Sequence, residues 1–124
     1  MSFANNNGIV QISDDVLVAI VQTATMEIDG VYSINSNLAS EIIGRFGKKT
    51  AFKGINIFNE ENKLIININL SIKQNYKILE VCENVQNKVK TAIENMTGLD
   101  IDKININVVS IELDKNKNLD KKED

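Results

Sequence analysis

Between Lys63 and Lys73 the chain alternates. Leu64, Ile66, Ile68, Leu70 and Ile72 fall on one parity, and Ile65, Asn67, Asn69, Ser71 and Lys73 on the other. Successive side chains of an extended strand point to opposite faces, so this period of two predicts a long strand with one buried face and one mostly wet face. An antiparallel sheet covered on one side has that character. From about Tyr76 to Met96 the period lengthens. Ile78, Val81, Cys82, Val85, Val89, Ala92, Ile93 and Met96 recur at helical spacing, with Glu80, Glu83, Asn87, Lys90 and Glu94 facing away. Gly98 supplies the stop. Beyond it Ile104, Ile106 and Val108 share one parity, and then Val109, Ile111 and Leu113 take over. A slip of one residue predicts a β-bulge near Val108-Val109.

The N-terminal half is less regular. Met1 to Asn7 has no periodicity and is expected to be a flexible arm, and Gly8 to Ile12 a short strand. Ser13 suits an N-cap, since its hydroxyl can accept from an orphan amide of the first turn, and Asp14 and Asp15 suit the positive end of the helix dipole. The helix should run to about Ile28, with Val16, Ala19, Ile20, Thr23, Ala24 and Glu27 at helical spacing and a stop at Asp29-Gly30. Leu17, Val18 and Val21 make it apolar on a second side, which calls for cover by its own sheet and by another element or subunit. Those three residues are the candidate self-association surface. Val31 to Ile34 and Lys53 to Phe58 read as strands, Asn59 to Asn62 as a polar hairpin turn, and 35–50 as a loop with one helical turn around Leu38 to Ile43. Residues 114–124 alternate charges and are expected to fray. Two apolar helix stripes and one apolar sheet face satisfy one another in a two-layer α+β sandwich, with both helices packed on one face of a mainly antiparallel sheet over residues 8–113.

Composition narrows the chemistry. The 124 residues are 43% hydrophobic, enough for one cored domain, and carry a net charge of −3, which disfavours a general polyanion binder. Histidine is absent, removing the usual general base and the commonest metal ligand. A single cysteine, Cys82, precludes an intrachain disulfide and suits a reducing compartment. No positively charged start precedes an apolar run, and the run Val16 to Val21 is far short of the roughly 20 residues of a membrane span. The expected location is cytoplasmic, with any membrane contact peripheral or through a partner.

No constellation carries catalysis. Gly44 to Thr50 resembles a phosphate loop only superficially: Ile42 stands where the first glycine belongs, and Lys49 where a hydroxyl should follow Lys48. The segment does gather Arg45, Lys48, Lys49 and Lys53 on an acidic protein, a candidate docking patch for anionic headgroups or an acidic partner. Cys82 lies on an apolar stripe with no base to activate it, as a structural thiol would. The pairs Asp14/Asp15, Glu60/Glu61 and Asp100/Asp102 have local structural explanations, so no metal or cofactor is expected. The order of elements suggests an RNA-recognition sheet, yet its outward positions are Asn67, Asn69, Asn105 and Asn107, with no aromatic for a base to stack on. Nucleic acid is not an expected partner.

Several short motifs in order resemble a known family. They are Gly8-Ile9-Val10-Gln11-Ile12-Ser13 with Asp15-Val16, Glu27 to Val31, Val85 to Val89, Asn95 to Leu99, and Ile104 to Val108. From Gly8 to Leu113 the chain is similar to the alkaline shock and general stress proteins of Gram-positive bacteria, the envelope stress response group. The resemblance implies a small cytoplasmic protein without enzymatic activity, tied to envelope stress and alkaline tolerance. Some members are tethered through membrane-anchored partners, and others are linked to fatty-acid metabolism. It supplies no catalytic residue. The expected function is a protein–protein interaction module that self-associates or docks on an envelope or lipid-synthesis partner. The alternative is a peripheral binder of anionic membrane through the 45–53 segment.

Overall fold

The computed structural model describes residues 1–35, 50–52 and 54–113. In chain order its elements are β1 (Ser2–Asn5), β2 (Gly8–Gln11), α1 (Asp14–Met26), β3 (Val31–Ile34), β4 (Thr50–Phe52), β5 (Ile55–Glu60), β6 (Lys63–Lys73), α2 (Ile78–Thr97) and β7 (Asp100–Glu112). The alternating segment becomes β6, the spine of the sheet. Along one edge it pairs antiparallel first with β5, from Lys63 to Ile68, and then with β3, from Leu70 to Ile72. Along the other edge it pairs with β7 over its whole length. β4 adds to the outer edge of β5.

The β6–β7 pairing is parallel, with α2 as the crossover between the two strands. Parallel neighbours need such a connection because a tight turn cannot join them. The sheet therefore remains antiparallel in its other described pairings, while its longest one is parallel. The bulge anticipated near Val108-Val109 is present. Leu70 pairs with Val108 and Ser71 with Ser110, which leaves Val109 as the extra residue. A second irregularity skips Asp102.

Local chemistry sets the element ends. The Ser13 hydroxyl accepts from the Asp15 amide at 3.1 Å, a cap contributing on the order of 1 kcal/mol. Gly98 takes a left-handed φ of 77° and its amide donates to the Glu94 carbonyl, ending α2 where expected. Glu61 and Asn62, with φ of 53° and 68°, make the two-residue β5–β6 turn. Positive φ at both central residues matches the right-handed twist of the strands. The strand expected from Lys53 starts at Ile55, because Gly54 is a turn wedged against Asn35.

Three expectations change. Met1 to Asn7 is not a free arm: β1 and β2 form a hairpin whose Phe3 is buried in the main core. Asn59 Nδ2 donates to Ser2 O at 2.9 Å and Asn62 Nδ2 to Ala4 O at 3.2 Å, fastening the hairpin to the β5–β6 turn. One aromatic anchor and two side-chain amides, distant in sequence, supply what the polar composition hides. β4 starts at Thr50, the last residue of the expected loop, and continues through Ala51 and Phe52, where no element was expected. On α1 the buried set is Leu17, Val18, Ile20, Val21, Ala24 and Thr25, whereas Val16 is half-exposed. The helical turn expected around Leu38 to Ile43 and the charged tail at 114–124 lie outside the described residues.

A single core joins the layers. Ile55, Ile57, Leu64, Ile66, Ile68, Leu70 and Ile72 from the sheet meet Leu17 and Val21 of α1 and Val81, Val85, Val89 and Ile93 of α2. The opposite sheet face carries the polar rows.

Candidate interaction surfaces

Leu17, Val18 and Val21 are core residues, not a self-association surface: all three are buried within the chain's own fold. The second cover anticipated for α1 is α2. Beside α2 the exposed residues of α1 and its C-cap are Ala19, Thr23 and Glu27. These face Lys88, Thr91, Ala92, Asn95 and Met96 of α2 across a groove of about 530 Å³. Lys88 Nζ reaches Glu27 Oε1 at 3.3 Å across it, a solvent-exposed pair that contributes little to stability. Met96 stands 71% exposed at one end of α2, and Leu79 is 80% exposed at the other. Burial therefore selects a narrower stripe of α2 than spacing alone suggested, with Ile78 and Met96 left half-open or more.

Arg45, Lys48 and Lys49, together with Lys53, lie outside the described residues. Cys82 is half-buried on α2, and burial raises its thiol pKa above the ordinary value. A thiol so placed stays protonated near neutral pH, and slow reaction with a neutral alkylating reagent is the expected readout. Asp102, distant in the sequence, gathers with Glu60, Glu61 and Lys63 around one shallow depression beside the β5–β6 turn.

The open face of the sheet holds the asparagines, and they satisfy each other. Asn105 Nδ2 donates to Asn67 Oδ1 at 2.9 Å, Asn107 Nδ2 to Asn69 Oδ1 at 3.3 Å, and the Ser71 and Ser110 hydroxyls bond to each other. The rows form a cross-strand ladder between β6 and β7. On the helix side, Gln86 Nε2 donates to Ile104 O at 2.9 Å and ties α2 to β7. Past the bulge Val109, Ile111 and Leu113 are apolar and exposed. Spacing had marked the bulge without revealing that these residues lie at a sheet edge.

The model of the alkaline shock protein 23 family, described as having a cell envelope-related function, matches residues 2–113. The chain belongs to this family. The uncharacterized protein YqhY of Bacillus subtilis is 32% identical over 107 residues, covering 86% of this chain and 79% of that protein. The uncharacterized protein Spy1614 of Streptococcus pyogenes is 28% identical over 109 residues, covering 86% of this chain and 90% of that protein. YloU of Bacillus subtilis, also uncharacterized, is 27% identical and covers 84% and 88%. A solved MamM-CTD variant matches with a TM-score of 0.49 at 8% identity, covering 79% of this chain and 94% of that one. The family resemblance drawn from the short motifs is thereby confirmed, together with the envelope-related role. Among the described residues no helix is long and apolar enough to cross a membrane.

Proposed function

We propose that this family member is a non-enzymatic interaction module that works in the cytoplasm, associating with itself and docking on a protein partner of the cell envelope or of lipid synthesis. The observation that carries the reading is where exposed apolar side chains collect. Val109, Ile111 and Leu113 stand out together at the end of β7, while Leu79 and Met96 stand singly at opposite ends of α2. Singly exposed apolar residues are ordinary, whereas grouped ones mark contact sites. The polar side chains nearby are engaged with one another in the asparagine ladder and the Lys88–Glu27 pair.

Light scattering across a concentration series, with cross-linked pull-downs from the native host, tests this reading. Mass rising above the monomer, or reproducible capture of one envelope or lipid-synthesis protein that is lost on Val109→Lys or Leu113→Lys, is the expected outcome. A strict monomer with no captured partner would overturn it.

A further inference from the structure

β7 has β6 on one side and, among the described residues, no strand on the other. A long unpaired edge of backbone donors and acceptors is a template for another strand. We propose that β7 pairs antiparallel with β7 of a second copy of this chain, about a two-fold axis at Asn107, joining two sheets into one. The proposal rests on the self-association reading and assigns its surface.

Side-chain order selects the register. Ile101, Ile104, Ile106, Val108 and Ile111 stand beside Leu64, Ile66, Ile68, Leu70 and Ile72, hence on the helix side of the sheet. Lys103, Asn105, Asn107, Ser110 and Glu112 stand beside Ile65, Asn67, Asn69, Ser71 and Lys73, on the open side. Val109 and Asp102 are the bulged residues and drop out of the alternation. With Asn107 opposite its own copy, Ile106 meets Val108, Ile104 meets Ile111, and Ile101 meets Leu113. On the open side Asn105 meets Ser110, and Lys103 meets Glu112, twice by symmetry. Apolar faces apolar, and opposite charges face each other.

Neighbouring registers are worse. Moving the axis to Ile106 sets Asp100 against Glu112, a like-charge pair. Moving it to Val108 sets Glu112 against Asn105 and loses the ion pair.

Exposure points the same way. Ile66 and Ile68 of β6 are fully buried, while Ile104 and Ile106 beside them remain half-open, and Ile111 and Leu113 are 40% and 50% exposed. A copy across the seam covers that strip. Ile104 O already accepts from Gln86, and a carbonyl oxygen keeps a second lone pair for a strand partner. Bulges and an edge lysine also occur as guards against pairing, so the experiment must separate a seam from a guarded edge. A strand seam is narrower than a standard interface of about 1,600 Å², so association in the micromolar range is expected.

The test uses the full chain carrying Cys82→Ser. Directly opposed antiparallel residues have Cα atoms roughly 4.5–5.5 Å apart, within disulfide reach. Adding Asn107→Cys should give a disulfide-linked dimer on mild oxidation at tens of micromolar protein. Ile111→Cys should not, because its own copy lies roughly 20 Å along the seam. Without added cysteines, Lys103→Glu or Glu112→Lys alone should weaken the dimer at least fivefold by sedimentation, and the double exchange should restore it. Circular dichroism confirms that each variant folds. If oligomers form but ignore both the cross-link and the charge exchange, the seam is wrong and self-association stands. A strict monomer overturns both.

Discussion

One tetrapeptide occurs twice in this chain, and the fold sets the copies side by side. Ile66-Asn67-Ile68-Asn69 of β6 pairs residue for residue with Ile104-Asn105-Ile106-Asn107 of β7. The isoleucines of β6 are sealed, whereas those of β7 are half-open. Asn69 is buried, whereas Asn107 is exposed. Composition, alternation and strand direction are the same, so none of them causes the difference. Among the described residues β6 has a strand on each side, and β7 has one. The energetic weight of a side chain in this sheet is set by its number of neighbouring strands, a property the local sequence does not carry.

The largest expected effect follows from that contrast. Truncating a fully buried isoleucine removes transfer free energy and leaves a cavity, so Ile68→Ala should cost about 4 kcal/mol. Ile106→Ala, beside it, should cost about 1.5 kcal/mol, since part of its surface already meets water. Urea unfolding of both variants at low protein concentration, where any dimer is dissociated, measures the gap. Equal losses under these conditions would mean that the edge of β7 is covered within the single chain.

Much of the rest was legible in the sequence, and the exceptions share a cause. The strand from Lys63, the cap at Ser13, the stop at Gly98 and the slip at Val109 are each fixed by residues within a few positions of one another. The family was legible too, through motifs spread along the domain. The hairpin of β1 and β2 was not, because Phe3 acquires its partners only through the tertiary fold and Asn59 and Asn62 reach it from 57 and 58 residues away. On α1 both sides were apolar, and spacing alone could not decide which side meets the sheet. The tertiary fold decided it: Leu17 and Val21 fill the core, and Ala19 and Thr23 border the helix–helix groove. The direction of β7 was equally hidden, since alternation is identical in parallel and antiparallel strands.

The bulge sharpens the comparison further. If Val109 is the extra residue, Val108 still points to the core and Val109 does not. Val108→Ser should then cost about 1.5 kcal/mol and Val109→Ser less than about 0.5 kcal/mol, as thermal unfolding can resolve. The reverse order would move the bulge by one residue and change which side chains the β7 edge presents.

The polar row should invert the ranking, and this is the finest test. Asn69 and Asn107 share one hydrogen bond, donated by Asn107 Nδ2 to Asn69 Oδ1. Removing either side chain breaks it, but the residues left behind differ. Asn69→Ala leaves an exposed Asn107 that can turn to water, a cost of about 0.5 kcal/mol. Asn107→Ala leaves the carbonyl of a buried Asn69 without its donor, which should cost about 1 kcal/mol, because a stranded buried acceptor forfeits its hydration. The double variant should then cost no more than Asn107→Ala alone. A four-state unfolding cycle reads this directly. If Asn69→Ala proves the more costly, packing rather than hydrogen-bond satisfaction governs the row, and the edge strand would be secondary to the central one on both faces of the sheet.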